Sequence, residues 1–193
     1  MSLRALALCL ALAVAGCGSD DPSPPPPPAG SSAVVPPAAG GFPDPAPAAV
    51  GGSVGPGTAC PIPVAFTVAA KWVAEDTTGA GLEMGNYRLR CEIDAKPAGL
   101  IGFLRVWVNP RQSDVGADMR DFLERIEGGT GATYRSLTIG GQAGYEASFR
   151  PGNRQGRAFA VRDTLVVWTT LDDEEFTAGL PAYVLARTTV SVP

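Results

Sequence analysis

The chain has 193 residues, among them 24 glycines, 19 prolines and no histidine, and a formal charge of −4. The missing imidazole removes Ser-His and Cys-His nucleophilic pairs and histidine-based metal sites together. With 15 basic against 19 acidic residues, the balance argues against a nucleic-acid partner and against a membrane held by charge alone.

The N-terminus has the three parts of a secretory signal. Arg4 is the basic part, residues 6–14 are apolar, and Ala15 and Gly16 are small. The apolar run is too short to span a bilayer, which takes about 20 residues. Val14-Ala15-Gly16-Cys17 reads aliphatic-small-small-Cys and resembles the lipobox of bacterial lipoproteins. That resemblance implies removal of residues 1–16 and a diacylglyceryl group on Cys17. It also implies a protein tied to the outer side of the cell membrane. Two acyl chains give stable anchoring where one does not.

Residues 17–59 are dominated by Gly, Pro, Ala and Ser, with five consecutive prolines at 24–28. Such a segment buries too little apolar surface to offset its ordering entropy, and it reads as a disordered tether. A single domain is expected over residues 60–193.

Within that domain, residues 64–68 read as a short strand and 77–81 as a loop. Residues 87–94 alternate with period two, their odd positions facing a core. After a turn at Lys96-Pro97-Ala98-Gly99, residues 100–108 are apolar on both faces except at Arg105, as in a central strand. Ser113 or Asp114 caps a helix whose stripe is Val115, Met119, Phe122, Leu123 and Ile126, with Asp121 and Arg125 one turn apart. Gly128-Gly129 stops it. Residues 134–139 and 143–149 flank Gly140-Gly141, a hairpin signal. Residues 157–161 alternate, Asp163-Thr164 reverses the chain, and 165–168 form a buried strand. Asp172 or Asp173 caps a last helix with Phe176, Leu180, Tyr183 and Val184 on one side. Pro181 predicts a kink or a restart in it.

Strands, helix, strands, helix, joined mostly by hairpins, give an α+β domain with a mainly antiparallel sheet, one mid-domain helix and one C-terminal helix. The two doubly apolar strands predict helices on both faces. Three stretches carry a further resemblance: Cys91-Glu92-Ile93-Asp94-Ala95-Lys96-Pro97, Ile101-Gly102-Phe103-Leu104-Arg105-Val106-Trp107, and Leu171 to Phe176 continued by Leu180-Pro181-Ala182-Tyr183. They resemble a family of uncharacterised actinobacterial lipoproteins, whose plan is similar to the PsbP-like α/β/α sandwich that includes lipoproteins of the Lpq type. The resemblance implies a binding or accessory role without catalysis, and it carries over no functional residue.

Cys60 and Cys91 are the cysteines left after the signal and the lipid site, and an oxidising compartment favours a disulfide between them. Asp172-Asp173-Glu174-Glu175 lies at a helix start, where acidic side chains cap free N–H groups, and it is weighed as a cap above a metal site. No metal site and no cofactor is expected. Arg88, Arg90, Arg105, Arg150, Arg154, Arg157 and Arg162 form either an anion-binding face or cross-strand ion pairs with Glu92, Asp94 and Glu146 on a solvated face, the second being preferred. Trp72, Trp107 and Trp168 read as core, with pocket lining as the alternative. The expected function is a membrane-anchored envelope lipoprotein whose domain binds or scaffolds something in the cell envelope without catalysis, with an envelope protein or a lipid or glycolipid as the candidate partner. The alternatives are a lipid or glycolipid carrier with a cleft between sheet and helix, and a hydrolase built on carboxylates such as Asp94, Glu146 or Asp173.

Overall fold

Alternating apolar residues and tight turns place ten strands and two helices in the computed structural model, which describes residues 42–111, 114–125 and 131–193. Cys17, the signal at 1–16, tether residues 17–41, Ser113, Ile126, Gly128 and Gly129 lie outside the described residues. The elements are β1 (Val50–Val54), β2 (Phe66–Ala69), β3 (Val73–Asp76), β4 (Glu83–Met84), β5 (Tyr87–Asp94), β6 (Gly102–Val108), α1 (Val115–Arg125), β7 (Thr133–Ile139), β8 (Gln142–Phe149), β9 (Gly156–Val161), β10 (Thr164–Thr170) and α2 (Asp173–Thr188). Eight strands form one antiparallel sheet in the order β3-β5-β6-β10-β9-β8-β7, with β4 paired to β5. β1 and β2 form a separate ribbon.

The sheet is covered on both faces. On one, α2 and the ribbon bury Phe176, Leu180, Tyr183, Val54 and Phe66 against Ile93, Val106, Val166 and Trp168. On the other, α1 buries Met119, Phe122 and Leu123 against Tyr87, Leu89, Trp107 and Leu165. Asp114 caps α1, its Oδ1 accepting from the Ala117 N–H at 2.9 Å. Asp172 caps α2, accepting from the Glu175 N–H at 2.8 Å. α2 is one continuous helix with Pro181 inside it, not two pieces. Close packing explains why: a Cβ on Gly179 would stand 2.2 Å from the Trp168 ring, so α2 lies directly on that indole. The Trp168 Nε1–H donates to the Phe176 carbonyl at 3.2 Å, which ties the helix down ahead of the proline. At the hairpin between β7 and β8, both Gly140 (φ 56°) and Gly141 (φ 78°) are left-handed, as a two-residue turn of this kind requires.

Two expectations change. The first concerns β5. Its odd positions are all buried, but they do not share a face. Leu89 pairs with Trp107 and Cys91 with Val106, so Arg90 is an extra residue in the ladder. This bulge reverses the pleat. Tyr87 and Leu89 therefore point to the α1 core, and Cys91 and Ile93 to the α2 core. The reversal brings Cys91 to Cys60, and the two form a disulfide with Cα atoms 5.8 Å apart.

The second concerns the domain boundary at Cys60. The described part of the expected tether is folded and belongs to the same compact unit as the rest of the domain. β1 lies within it, paired to β2. The Ala48 N–H donates to the Pro181 carbonyl at 3.0 Å, and the Ala70 N–H to the Ala49 carbonyl at 2.8 Å. Its glycines mark close approach rather than slack. A Cβ on Gly51 would meet the Ala69 oxygen at 2.6 Å, and one on Gly55 would meet the Ala65 Cβ at 2.6 Å. Composition reads as disorder because the segment has no apolar period of its own; it takes its order from backbone pairing with β2 and α2.

The disulfide closes a span of 31 residues between the connection joining β1 to β2 and the sheet. Replacing both cysteines by serine should lower the unfolding free energy by about 3–4 kcal/mol in urea denaturation. Equal stability of the two proteins would show that the bridge constrains nothing.

Candidate functional site

Two places on the molecule combine polar and apolar groups in ways that packing alone does not require. The first is on the α2 face, where β7, β8 and β9 bring Arg135, Glu146 and Arg157 together. Glu146 stands directly opposite Arg135 in the β7–β8 ladder, and Phe159 opposite Glu146 in the next. Glu146 is 0% exposed and Arg157 3%. Both guanidiniums contact the Glu146 carboxylate, Arg135 on Oε2 and Arg157 on Oε1. From α2, the Tyr183 hydroxyl donates to Oε1 at 3.0 Å, and Arg187 Nε lies 3.5 Å from the same oxygen. Burial, and then the Glu146 carboxylate, push the Tyr183 hydroxyl well above its ordinary range, so it stays a neutral donor.

The outer part of this cluster comes from the N-terminal segment. Asp44 accepts from Arg187 at 2.7 Å and from Arg135 and Arg157 at 3.4 Å each. The Phe42 ring lies against the same cations, 4.5 Å from Arg135 Cζ and 4.8 Å from Arg157 Cζ. Glu146 and Arg157 were expected on a solvated face; they are buried instead, because α2 and residues 42–44 close over that end of the sheet. Sequence reading missed Phe42, Asp44, Arg135, Tyr183 and Arg187 as members of a polar cluster. One signal was present: Phe42-Pro43-Asp44 places a lone aromatic and a lone carboxylate in an otherwise small-residue stretch.

The second place is on the α1 face. The described part of α1 is Val115–Arg125, and the sheet beside it carries depressions. Two adjoining depressions of about 230 and 300 Å³ share Arg105, Arg154 and Thr169. Trp107, Phe122, Met84 and Val167 form the apolar floor of the first. Ile101 and Leu171, 53% and 64% exposed, rim the second. Arg105 pairs across the strands with Glu92 at 2.6 Å. Arg154 is exposed and makes no ion pair among the described residues.

The remaining sequence candidates separate. Arg88 pairs with Glu83 at 2.9 Å and Arg150 with Asp173 at 3.5 Å. Arg105 and Arg157 lie on opposite faces, so the arginines do not form one common surface. The cross-strand reading holds for Glu92 with Arg105. Trp72 and Trp168 are core residues with ring centroids 5.2 Å apart, whereas Trp107 also lines the groove. The acidic run at 172–175 caps α2, and Glu175 also accepts from the Ile101 N–H at 3.0 Å. Asp94, Glu146 and Asp173 stand on β5, β8 and the start of α2. Each is engaged locally, Asp94 with the Lys96 N–H at 2.9 Å and Asp173 with the Gln155 N–H at 3.1 Å. Among the described residues no three His, Cys, Asp or Glu side chains are grouped to hold a metal ion.

Burial sets very different weights on the two cross-strand carboxylates. Glu146→Gln removes the buried anion and leaves the 3%-exposed Arg157 only its longer 3.4 Å contact with Asp44, and should cost about 3–5 kcal/mol in chemical denaturation. Glu92→Gln, at a half-exposed pair, should cost less than about 1 kcal/mol. Equal losses would show that the Glu146 site is wet.

No curated protein matches the chain. Among solved structures, it is similar to the solution structure of cyanobacterial PsbP (CyanoP) from Synechocystis sp. PCC 6803, with a TM-score of 0.45 and 13% sequence identity over 68% of this chain and 87% of that one. At that identity the similarity concerns the fold alone. The model of a family described as uncharacterised lipoprotein matches residues 36–190, which take in the described part of the N-terminal segment together with both faces of the sheet. The chain belongs to that uncharacterised lipoprotein family.

Proposed function

We propose that this lipoprotein is anchored through diacylglyceryl-Cys17 on the outer side of the cell membrane. Its domain is a non-catalytic binding module. It takes an anionic ligand with a short apolar part, a lipid or glycolipid head group of the envelope, in the groove beside α1. The observation that carries this reading is the placement of Trp107 and Phe122 in one depression with an exposed Arg154 that makes no ion pair among the described residues. An aromatic floor supplies apolar contact, and a guanidinium supplies two-pronged recognition of phosphate or carboxylate.

The size of the groove favours a head group over a whole lipid. Small-molecule sites enclose roughly 300–1,000 Å³. The two depressions, at about 230 and 300 Å³, stand at or below the lower end of that range and are open to solvent. A non-catalytic role is supported by the lack of histidine and by the local engagement of each candidate carboxylate. No helix among the described residues is long and apolar enough to cross a membrane, so the anchor in this reading is the lipid.

The test uses protein made in its own cells. The wild-type chain should sediment with membranes, and Cys17→Ser should leave them. After the N-terminal segment is severed from washed membranes, mass spectrometry should find an anionic envelope molecule on the wild-type domain. Arg154→Glu, at an exposed site, should reduce that occupancy at least tenfold. A wild-type domain that emerges empty contradicts the groove reading, and a Cys17→Ser protein that stays with membranes contradicts the anchor.

A further inference from the structure

The charge cluster on the α2 face does not balance within the sheet and helix. Arg135, Arg157 and Arg187 bring three positive charges, and Glu146 answers one of them. The second carboxylate, Asp44, comes from the segment ahead of β1. Its position differs in kind from that of Glu146. The Glu146 side chain is fully buried in the middle of a strand; the Asp44 side chain is 35% exposed, on a segment that is not part of the sheet. Arg157 keeps a buried Nε–H with no acceptor among the described residues. The site thus has a fixed inner anion, an exchangeable outer one, and unused donor capacity.

The occupant also shows what the site selects. Phe42 lies over two of the three guanidiniums, and Asp44 meets all three. Pro43 holds Phe42 in the extended region, and Pro45 does the same for Asp44. Ring and carboxylate, two residues apart on a stiff extended chain, therefore reach one cluster with little entropy to lose. If the segment leaves, three cations face one carboxylate in a largely dehydrated place. Such a site calls for a replacement anion.

We propose that the Arg135–Arg157–Arg187 cluster is a recognition site for extended peptides that carry an aromatic ring two residues ahead of a carboxylate, and that the chain's own Phe42-Pro43-Asp44 fills it in cis. A partner segment of the same chemistry takes the place of residues 42–44, and doing so frees those residues from the domain while β1 stays paired to β2. The site is on the sheet face opposite the groove beside α1, so each stands or falls without the other. Because the cis segment is covalently attached, its effective concentration is in the millimolar range, and a ligand in trans must overcome it.

The probe is a fluorescein-labelled peptide with the sequence of residues 41–47, Gly-Phe-Pro-Asp-Pro-Ala-Pro, read by anisotropy against the full mature chain. The variant with both Phe42→Ala and Asp44→Ala should bind it saturably, and the wild type at least tenfold more weakly. A peptide with alanine for the aspartate should not compete. Adding Arg187→Gln to the emptied variant should reduce binding at least tenfold. Circular dichroism and thermal melting establish that each variant is folded, and Asp44→Asn alone gives a milder emptied form if the double change unfolds the domain. A folded emptied variant that binds the peptide no better than wild type overturns the proposal, as does binding that ignores the peptide's aspartate. Either result makes Asp44 a structural clamp and nothing more.

Discussion

A carboxylate sealed from water has to be neutralised where it stands, and Glu146 imposes that condition on this domain. At 0% exposure it draws a cation from each neighbouring strand, Arg135 and Arg157, and a third cation and a hydroxyl from α2. Three arginines then need more negative charge than one carboxylate holds. Asp44 supplies it, and the N-terminal segment is drawn onto the domain as a result. Five separate stretches of chain meet at this point. Apolar residues of similar volume often stabilise such a site as well or better, so the cluster is better understood as fixing where the segments meet than as a source of stability.

The two faces of the sheet divide the work. The α2 face is closed: ribbon, helix and N-terminal segment cover it, Trp168 is pressed between Gly102 and Gly179, and the disulfide holds the connection between β1 and β2 to β5. The α1 face carries two depressions beside that helix. The Arg90 bulge links the two faces, since it sends Leu89 and Tyr87 to one core and Cys91 to the other.

Much of this was legible in the amino-acid order. Period-two alternation located β5, Gly140-Gly141 located the β7–β8 turn, and capping aspartates located both helix starts, because each signal is local and follows from backbone geometry. The disulfide followed from elimination and compartment. Long-range arrangements were not legible. No local pattern announces that Arg90 is a bulge, so the odd positions of β5 looked like one face. Residues 42–59 read as a tether because their order is borrowed from β2 and α2 rather than carried in their own composition. Glu146 and Arg157 looked solvated because alternation along a strand cannot tell a polar residue facing water from one facing other charges. Arg187 and Tyr183 are one helical turn apart on α2, yet Tyr183 reaches Glu146 on β8 and Arg187 reaches Asp44, more than a hundred residues earlier.

The cluster joins the N-terminal segment to the rest of the domain through Asp44 and Arg187. A double-mutant cycle on Asp44→Ala and Arg187→Ala, followed by urea denaturation of the mature chain, tests that link most directly. If Asp44 and Arg187 hold one another in the folded domain, the two losses are not additive, and the cycle returns a coupling of about 1–2 kcal/mol. Losses that add to within about 0.5 kcal/mol, as distant sites do, would mean that Asp44 is a bystander and that the segment is held by its backbone pairing alone.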